Sequence, residues 1–134
     1  MCWAATAANI LAWTGWTYRD DLSTADEIFG YFRDHWSNEG SMPYFAWDWW
    51  FDGDHIRQGW AGWAQVVEPG GGFFPNLRFN DYYSTEVFDW NIGPKLATYL
   101  RSGHAVGLAV SGPGNHAISC WGYSFEHPDV FGTT

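Results

Sequence analysis

The sequence has 134 residues, of which 46% are hydrophobic and 21% aromatic, so it can fill the core of one domain and is not expected to be disordered. Fifteen acidic against six basic residues give a formal net charge of −9, and no basic cluster is present, which argues against nucleic acid and anionic membranes as partners. No apolar run approaches the ~20 residues of a membrane-spanning helix. The length of the chain predicts one domain over residues 1–134.

An alanine-rich apolar stretch, residues 3–14, predicts a first helix that is buried on nearly all sides and stops at Gly15. Cys2 stands at the start of this helix. Free N–H groups and a partial positive charge at a helix start favour a thiolate, which is the reactive form of cysteine. Cys2 is therefore a candidate nucleophile.

The middle of the chain predicts one further helix and then irregular structure. This helix begins at Ser23, with Ser23 or Thr24 as its N-cap. Residues 43–63 contain five tryptophans that follow no clean period, so we expect short helical or irregular pieces there. Gly70–Gly72 predicts a flexible loop, and residues 73–90 a loop with aromatic anchors.

The C-terminal part predicts a helix followed by a β-hairpin. A helix is expected over about Pro94–Ser102, and the apolar run Ala105–Val110 predicts a buried strand. Residues 111–114 form a predicted turn, and residues 116–125 the returning strand. Helices followed by an antiparallel sheet make an α+β fold.

A histidine on the predicted sheet can face the cysteine on the first helix. His116 begins the second strand, so a cleft between helix and sheet could pair it with Cys2 as thiolate and imidazolium. His116 and Cys120 would lie ~13 Å apart along the strand, which leaves Cys120 outside disulfide distance of a Cys2 that contacts His116. We therefore expect two unbridged thiols.

The sequence around these two residues resembles that of a known family. Cys-Trp-Ala-Ala at residues 2–5 and His-Ala-Ile-x-x-Trp-Gly-Tyr at residues 116–123 resemble the papain-like cysteine peptidases, and more closely the IdeS/Mac-type immunoglobulin-degrading endopeptidases. Three stretches carry the similarity, namely Cys2–Trp16, Trp49–Gly53 and Gly103–Tyr123. The resemblance implies a papain-like fold, in which an N-terminal nucleophile helix packs against a C-terminal antiparallel sheet.

The resemblance also implies an activity and the residues responsible for it. Cys2 would be the nucleophile and His116 the base of a cysteine endopeptidase that cleaves protein through a thioester acyl-enzyme. The family's third catalytic residue would lie beyond Thr134 and its oxyanion-binding side chain before Met1. We therefore expect a single but incomplete peptidase domain, weakly active or inactive by itself.

The family further implies the setting in which such a peptidase acts. No metal and no organic cofactor would be needed. The substrate would be a protein, with immunoglobulin as the example set by the best-known relatives. The protein would be bacterial and secreted or held at the cell surface, although the sequence itself carries no such address.

Two other functions fit the same sequence. Another thiol acyl hydrolase, such as a cell-wall amidase, would use the same Cys2–His116 pair. A non-catalytic module that binds carbohydrate or peptide on tryptophan faces would use neither residue. Replacement of Cys2 would inactivate either hydrolase but leave the binding module unaffected, so it distinguishes the two classes.

The remaining polar residues favour structural roles. His104 is predicted on the strand beside His116, and a structural role is favoured for it. Asp52 and Asp54 could stabilise His116 or line a subsite, but a solvated turn is the favoured interpretation. Asp129 falls in a turn and is not assigned a catalytic role. The other histidines, His35, His55 and His127, lack the spacing of metal ligands.

Overall fold

A computed structural model describes residues 1–84, 92–110 and 116–120 of the chain. Over these residues the predicted α+β class is confirmed. The α-helices are α1 (Cys2–Thr14), α2 (Ala25–His35), α3 (Pro43–Asp52) and α4 (Ile92–Arg101), and the strands are β1 (Val106–Val110) and β2 (His116–Cys120). Within the described ranges, no helix has the length and apolarity to cross a membrane.

Helix α1 lies at the centre of the fold and packs against α2, α3 and both strands. Its side chains are buried on several faces, and alanines at three of these positions let the neighbouring elements approach closely. The helix ends at Gly15, whose φ of 83° is the left-handed conformation that glycine adopts most readily. The first predicted helix and its stop are thereby confirmed.

Helix α2 begins with a capping box, and the N-cap is Thr24 rather than Ser23. The Glu27 N–H donates to the Thr24 hydroxyl at 3.2 Å, and the Thr24 N–H donates to the Glu27 carboxylate at 3.1 Å. The Ser23 N–H donates to the same carboxylate at 3.2 Å. These two backbone donors lower the pKa of Glu27.

Helix α3 turns the first half of the tryptophan-rich stretch into regular structure. It begins with Pro43 in its first turn and ends at Gly53, which has a φ of 82°. Trp49, Trp50 and Phe51 are all buried, although they are consecutive in the sequence. A helix that is apolar on several faces shows no amphipathic period, which is why the sequence pattern was ambiguous.

The segment Gly70–Gly72 is a loop, as predicted, and it packs directly on α2 and α3. The Gly71 N–H donates to the Tyr31 hydroxyl at 3.1 Å, and the Gly72 N–H donates to the Trp49 carbonyl at 2.9 Å. A Cβ at Gly71 would lie 2.4 Å from that same carbonyl oxygen. Glycine is required there because the backbone comes too close to α3 for any side chain.

The predicted antiparallel hairpin is confirmed where it is described, but β1 is not the buried strand that was expected, because its residues 106–108 are half-buried and Ala109 is exposed. Strands β1 and β2 pair antiparallel, with Val106 opposite Cys120 at one end and Val110 opposite His116 at the other. Gly107 faces α1, where an added Cβ would lie 3.2 Å from the Ile10 side chain. The predicted turn at 111–114 and the end of the second strand, residues 121–125, lie outside the described residues.

Candidate active site

The structure places Cys2 as the first residue of α1, with an exposed thiol. The Met1 carbonyl accepts the N–H groups of Ala4 and Ala5 at 3.1 and 3.2 Å. The N–H groups of Cys2 and Trp3 make no hydrogen bond to any residue of the described ranges. Two open donors at a positive helix end therefore stand beside the sulfur, which is the arrangement that stabilises negative charge.

The sulfur of Cys2 contacts β2 through a backbone group. The Ala117 N–H donates a hydrogen bond to Cys2 Sγ at 3.3 Å. Ala117 directly follows His116, whose side chain is exposed. In the described part of the chain no hydrogen bond joins Cys2 Sγ to the His116 ring.

One cleft of about 380 Å³ contains both of these predicted site residues. Its sheet side is formed by Ala109, His116 and Ala117, beside Cys2 and Trp3 of α1. Its opposite wall is formed by Gly40, Ser41, Met42, Gly62 and Trp63. His116 is the single titratable side chain other than Cys2 among these described lining residues. The cleft is therefore apolar, with one imidazole and one thiol at its sheet side.

The opposite wall was not predicted from the sequence. Gly40 follows α2, and its carbonyl accepts the Ala64 N–H at 2.9 Å, which holds the segments 40–42 and 62–63 side by side. A Cβ at Gly40 would meet no atom within 4 Å. The space beside the Gly40 Cα is therefore open. A glycine after a helix predicts that the helix ends there, but it does not predict that the glycine lines a cleft.

The loop that carries Trp63 is held by the side-chain amide of Gln65. Its Nε2 lies 3.0–3.3 Å from four carbonyl oxygens, and its Oε1 accepts the Gly59 N–H. The four carbonyls belong to Arg57, Trp60, Trp63 and Ala64. This loop has no regular backbone hydrogen-bonding pattern, and the Gln65 side chain supplies hydrogen-bond partners to its backbone instead.

His104 does not reach the candidate site. Its N–H donates to the Tyr99 carbonyl at 3.0 Å, and its ring lies 5.7 Å from the Tyr99 ring. It precedes β1 at the end of the hairpin that lies opposite His116. Cys120 lies at that same far end, and no disulfide joins it to Cys2.

Asp52 lines a separate cavity of about 220 Å³ together with Asp48 and Arg78, and neither Asp52 nor Asp54 lines the cleft of Cys2. Burial raises the pKa of Asp48 to about 6, and repulsion from Asp52 and Asp54 adds to the increase. These carboxylates therefore interact with one another and not with His116.

Two of the remaining histidines are held by backbone carbonyls. His35 Nδ1 donates to the Tyr31 carbonyl at 2.8 Å, and His55 Nε2 donates to the Ala64 carbonyl at 2.9 Å. Burial lowers the pKa of His55. Among the described residues, no group of three His, Cys, Asp or Glu side chains is placed to hold a metal ion. His127 and Asp129 lie outside the described residues.

Most of the described tryptophans contribute to the core. Trp3 packs on Trp36 with ring centroids 4.9 Å apart, and both are buried together with Trp49 and Trp50. Trp60 is 53% exposed. A binding platform in the tryptophan-rich stretch would therefore depend on the exposed Trp60 and on the half-buried Trp47 and Trp63.

No family model, curated protein or solved structure matches the chain. The likeness to papain-like peptidases accordingly depends on the sequence motifs around Cys2 and His116. The geometry of the cleft provides an independent basis for a functional proposal.

Proposed function

We propose that this chain is a papain-like cysteine endopeptidase of the IdeS/Mac type, with Cys2 as nucleophile and His116 as general acid and base. The observation that supports this proposal most directly is the hydrogen bond from the Ala117 N–H to Cys2 Sγ. Through this bond the Cys2 thiol, at the start of α1, contacts the residue that directly follows His116, and both Cys2 and His116 line the same cleft. The Cys2–His116 contact itself would form by rotation of exposed side chains when substrate binds, as catalytic hydrogen bonds often tighten only then.

The proposed reaction is acyl transfer. The Cys2 sulfur gives its proton to His116 and attacks the peptide carbonyl carbon, so that a C–S bond forms and the carbonyl electrons move to oxygen. The open N–H of Cys2 donates to this oxyanion. The C–N bond then breaks, and His116 protonates the leaving amine. Water, deprotonated by His116, hydrolyses the thioester and releases the acid and the thiol.

The proposed substrate is a protein, with immunoglobulin as the example that the resemblance suggests. The proposed protein is bacterial and secreted or surface-bound, and neither a metal nor an organic cofactor takes part in this reaction. A cell-wall amidase would use the same two residues, so the choice of substrate distinguishes these hydrolases.

Hydrolysis by single variants tests the proposal. Casein, immunoglobulin and peptidoglycan are each incubated with the wild-type chain and with Cys2→Ala, His116→Ala and His104→Ala. We expect Cys2→Ala to abolish hydrolysis and His116→Ala to reduce it roughly 10²–10⁴-fold. His104→Ala removes an exposed histidine outside the cleft and should leave the rate unchanged. Hydrolysis that persists in Cys2→Ala would refute the proposal.

Alkylation tests the Cys2–His116 pair even if turnover is slow. Iodoacetamide labelling is measured at about pH 6, and mass spectrometry separates Cys2 from Cys120. Since the thiolate is the reactive form, His116→Ala should slow Cys2 labelling on the order of 10-fold, whereas His104→Ala should not. Equal labelling rates in all three proteins would show that His116 does not activate Cys2.

A further inference from the structure

Among the residues that the structure describes, the guanidinium of Arg57 has no acidic partner. Its Cζ lies 4.2 Å from the Trp60 ring centroid, 5.3 Å from that of Trp63 and 5.4 Å from that of Phe45. No carboxylate of a described residue forms an ion pair with Arg57, whereas Arg19 and Arg33 each pair with an aspartate. This unpaired cation is unusual in a chain with a formal net charge of −9.

The guanidinium is partly desolvated and partly open. Nε of Arg57 is buried and makes no hydrogen bond. The two terminal nitrogens also make no hydrogen bond to described residues, yet they are not buried. A guanidinium that has already lost water on one side, but keeps free donors on the other, binds an anion more strongly than a fully hydrated one.

Hydrogen bonds anchor the backbone of Arg57, and ring contacts support its side chain. Its own carbonyl accepts from Gln65 Nε2 at 3.1 Å, and the Trp60 N–H donates to the same carbonyl at 3.0 Å. Aromatic contacts hold the side chain on top of this anchored backbone. Little conformational entropy remains to be lost when the guanidinium binds a ligand.

Arg57 also lies next to the cleft of Cys2. It packs on Trp63, and Trp63 forms part of the wall opposite Cys2 and His116. A substrate bound in the cleft would contact Trp63 as well as Cys2, because both line it. The cation could therefore contact a substrate without taking part in its chemistry.

We propose that Arg57 is a specificity determinant that binds a carboxylate of the substrate beside Trp63. A planar guanidinium matches a carboxylate through two parallel N–H···O bonds, and protein substrates offer carboxylates on Asp and Glu side chains and at their C-termini. Calling this ligand the substrate depends on the proposed peptidase function. The binding of the carboxylate does not.

Binding to a Cys2→Ala protein tests the site without turnover. The probes are fluorescein-labelled alanine–glycine octapeptides with one Glu moved through each position, matched peptides with Gln instead, and a free C-terminal acid compared with its amide. We expect one Glu position, or the free acid, to bind at least about 10-fold more tightly than its uncharged match. The Glu series and the C-terminal pair distinguish the two sources of the carboxylate.

Variants of arginine identify the residue responsible. Arg57→Met keeps the apolar stem on the rings but removes the charge, and it should abolish the preference for the carboxylate. Arg19→Met removes a cation that stacks on Tyr18 at 5.6 Å and pairs with Asp21, so it matches the change in charge and should keep the preference. If Arg57→Met does not fold, the salt dependence of peptide binding serves as the test. Raising NaCl from about 50 to about 500 mM should reduce the preference for the carboxylate severalfold in the Cys2→Ala protein.

The outcomes separate this inference from the proposed function. Equal binding of all matched pairs, or a preference that survives in Arg57→Met or is insensitive to salt, would overturn the role of Arg57. A preference that depends on Arg57, in a chain whose wild-type form hydrolyses nothing, would confirm the carboxylate site and refute the peptidase. Hydrolysis that depends on Cys2, together with binding that shows no carboxylate preference, would support the peptidase and overturn the carboxylate site at Arg57.

Discussion

The backbone N–H of Ala117 lies 3.3 Å from the sulfur of Cys2 and donates a hydrogen bond to it across a sequence separation of 115 residues. This contact joins the first turn of α1 to β2. The donor is a backbone group, so no side chain is needed to orient the thiol. The His116 side chain therefore stays available for the proposed reaction.

Filling the cleft at Gly40 should block function without unfolding the chain. An added Cβ meets nothing within 4 Å, so Gly40→Val places its side chain in space that a substrate would occupy. We expect hydrolysis, or peptide binding by the Cys2→Ala protein, to fall by at least about 100-fold. The free energy of unfolding should change by no more than about 0.5 kcal/mol. Asn38→Val places the same valine side chain at an exposed position outside the cleft, and it should leave both the function and the free energy of unfolding unchanged.

Substitution of Gly71 should destabilise the fold far more than substitution of Gly59. Both have a positive φ, 68° and 87°, but only at Gly71 would a Cβ collide with backbone, at 2.4 Å from the Trp49 carbonyl oxygen. Gly59→Ala should cost about 1 kcal/mol for its left-handed conformation. Gly71→Ala adds the collision and should cost about 3–5 kcal/mol. Urea denaturation measures both, and equal costs would mean that the loop moves away from α3.

A single donor group in Gln65 should control the stability of the loop beside the cleft. Gln65→Glu replaces the amide donor, which faces four carbonyl oxygens, by an acceptor that repels them. We expect a loss of about 2–4 kcal/mol in the free energy of unfolding at pH 7. Gln58→Glu is the control, because Gln58 is exposed and its Nε2 donates only to the Val66 carbonyl, and it should cost less than about 1 kcal/mol.

Asp48 should make the protein less stable as the pH rises from about 4 to about 6. Its pKa is raised from 3.8 to about 6, so in this range the folded state holds a proton that the unfolded state has released. The stabilisation is complete below the unfolded pKa and is lost as the pH passes the folded one. Asp48→Asn should therefore be more stable than the wild-type chain at pH 7 by about 1 kcal/mol, after allowance for the partial exposure of the carboxyl.

The difference in free energy of unfolding between wild type and Asp48→Asn, measured by urea denaturation at several pH values, checks this prediction. The difference should shrink as the pH falls towards 4. Glu68→Gln removes an exposed carboxyl elsewhere and should show no such trend. A constant difference across the range would mean that Asp48 titrates normally.

Local signals explain why several elements could be predicted from the sequence. Gly15 stops α1, and Thr24 with Glu27 starts α2, because capping depends on residues within one turn of the helix end. The antiparallel hairpin followed from an apolar run and a turn. The contact of the glycine loop with Trp49 was not predicted, because consecutive glycines indicate a loop but not the element on which the loop packs.

The sequence by itself determined the order of α1, α2, α4 and the two strands, but not α3, and it determined the two residues, Cys2 and His116, whose types and local settings suggest thiol chemistry. Only the tertiary structure decided that both line one cleft, that Gly40 lines it with open space beside its Cα, and that Arg57 contacts Trp63 with no acidic partner among the described residues. Capping and periodicity act over a few neighbouring residues and are therefore readable from sequence. The walls of a cleft depend on contacts between distant segments, which form only when the whole core packs.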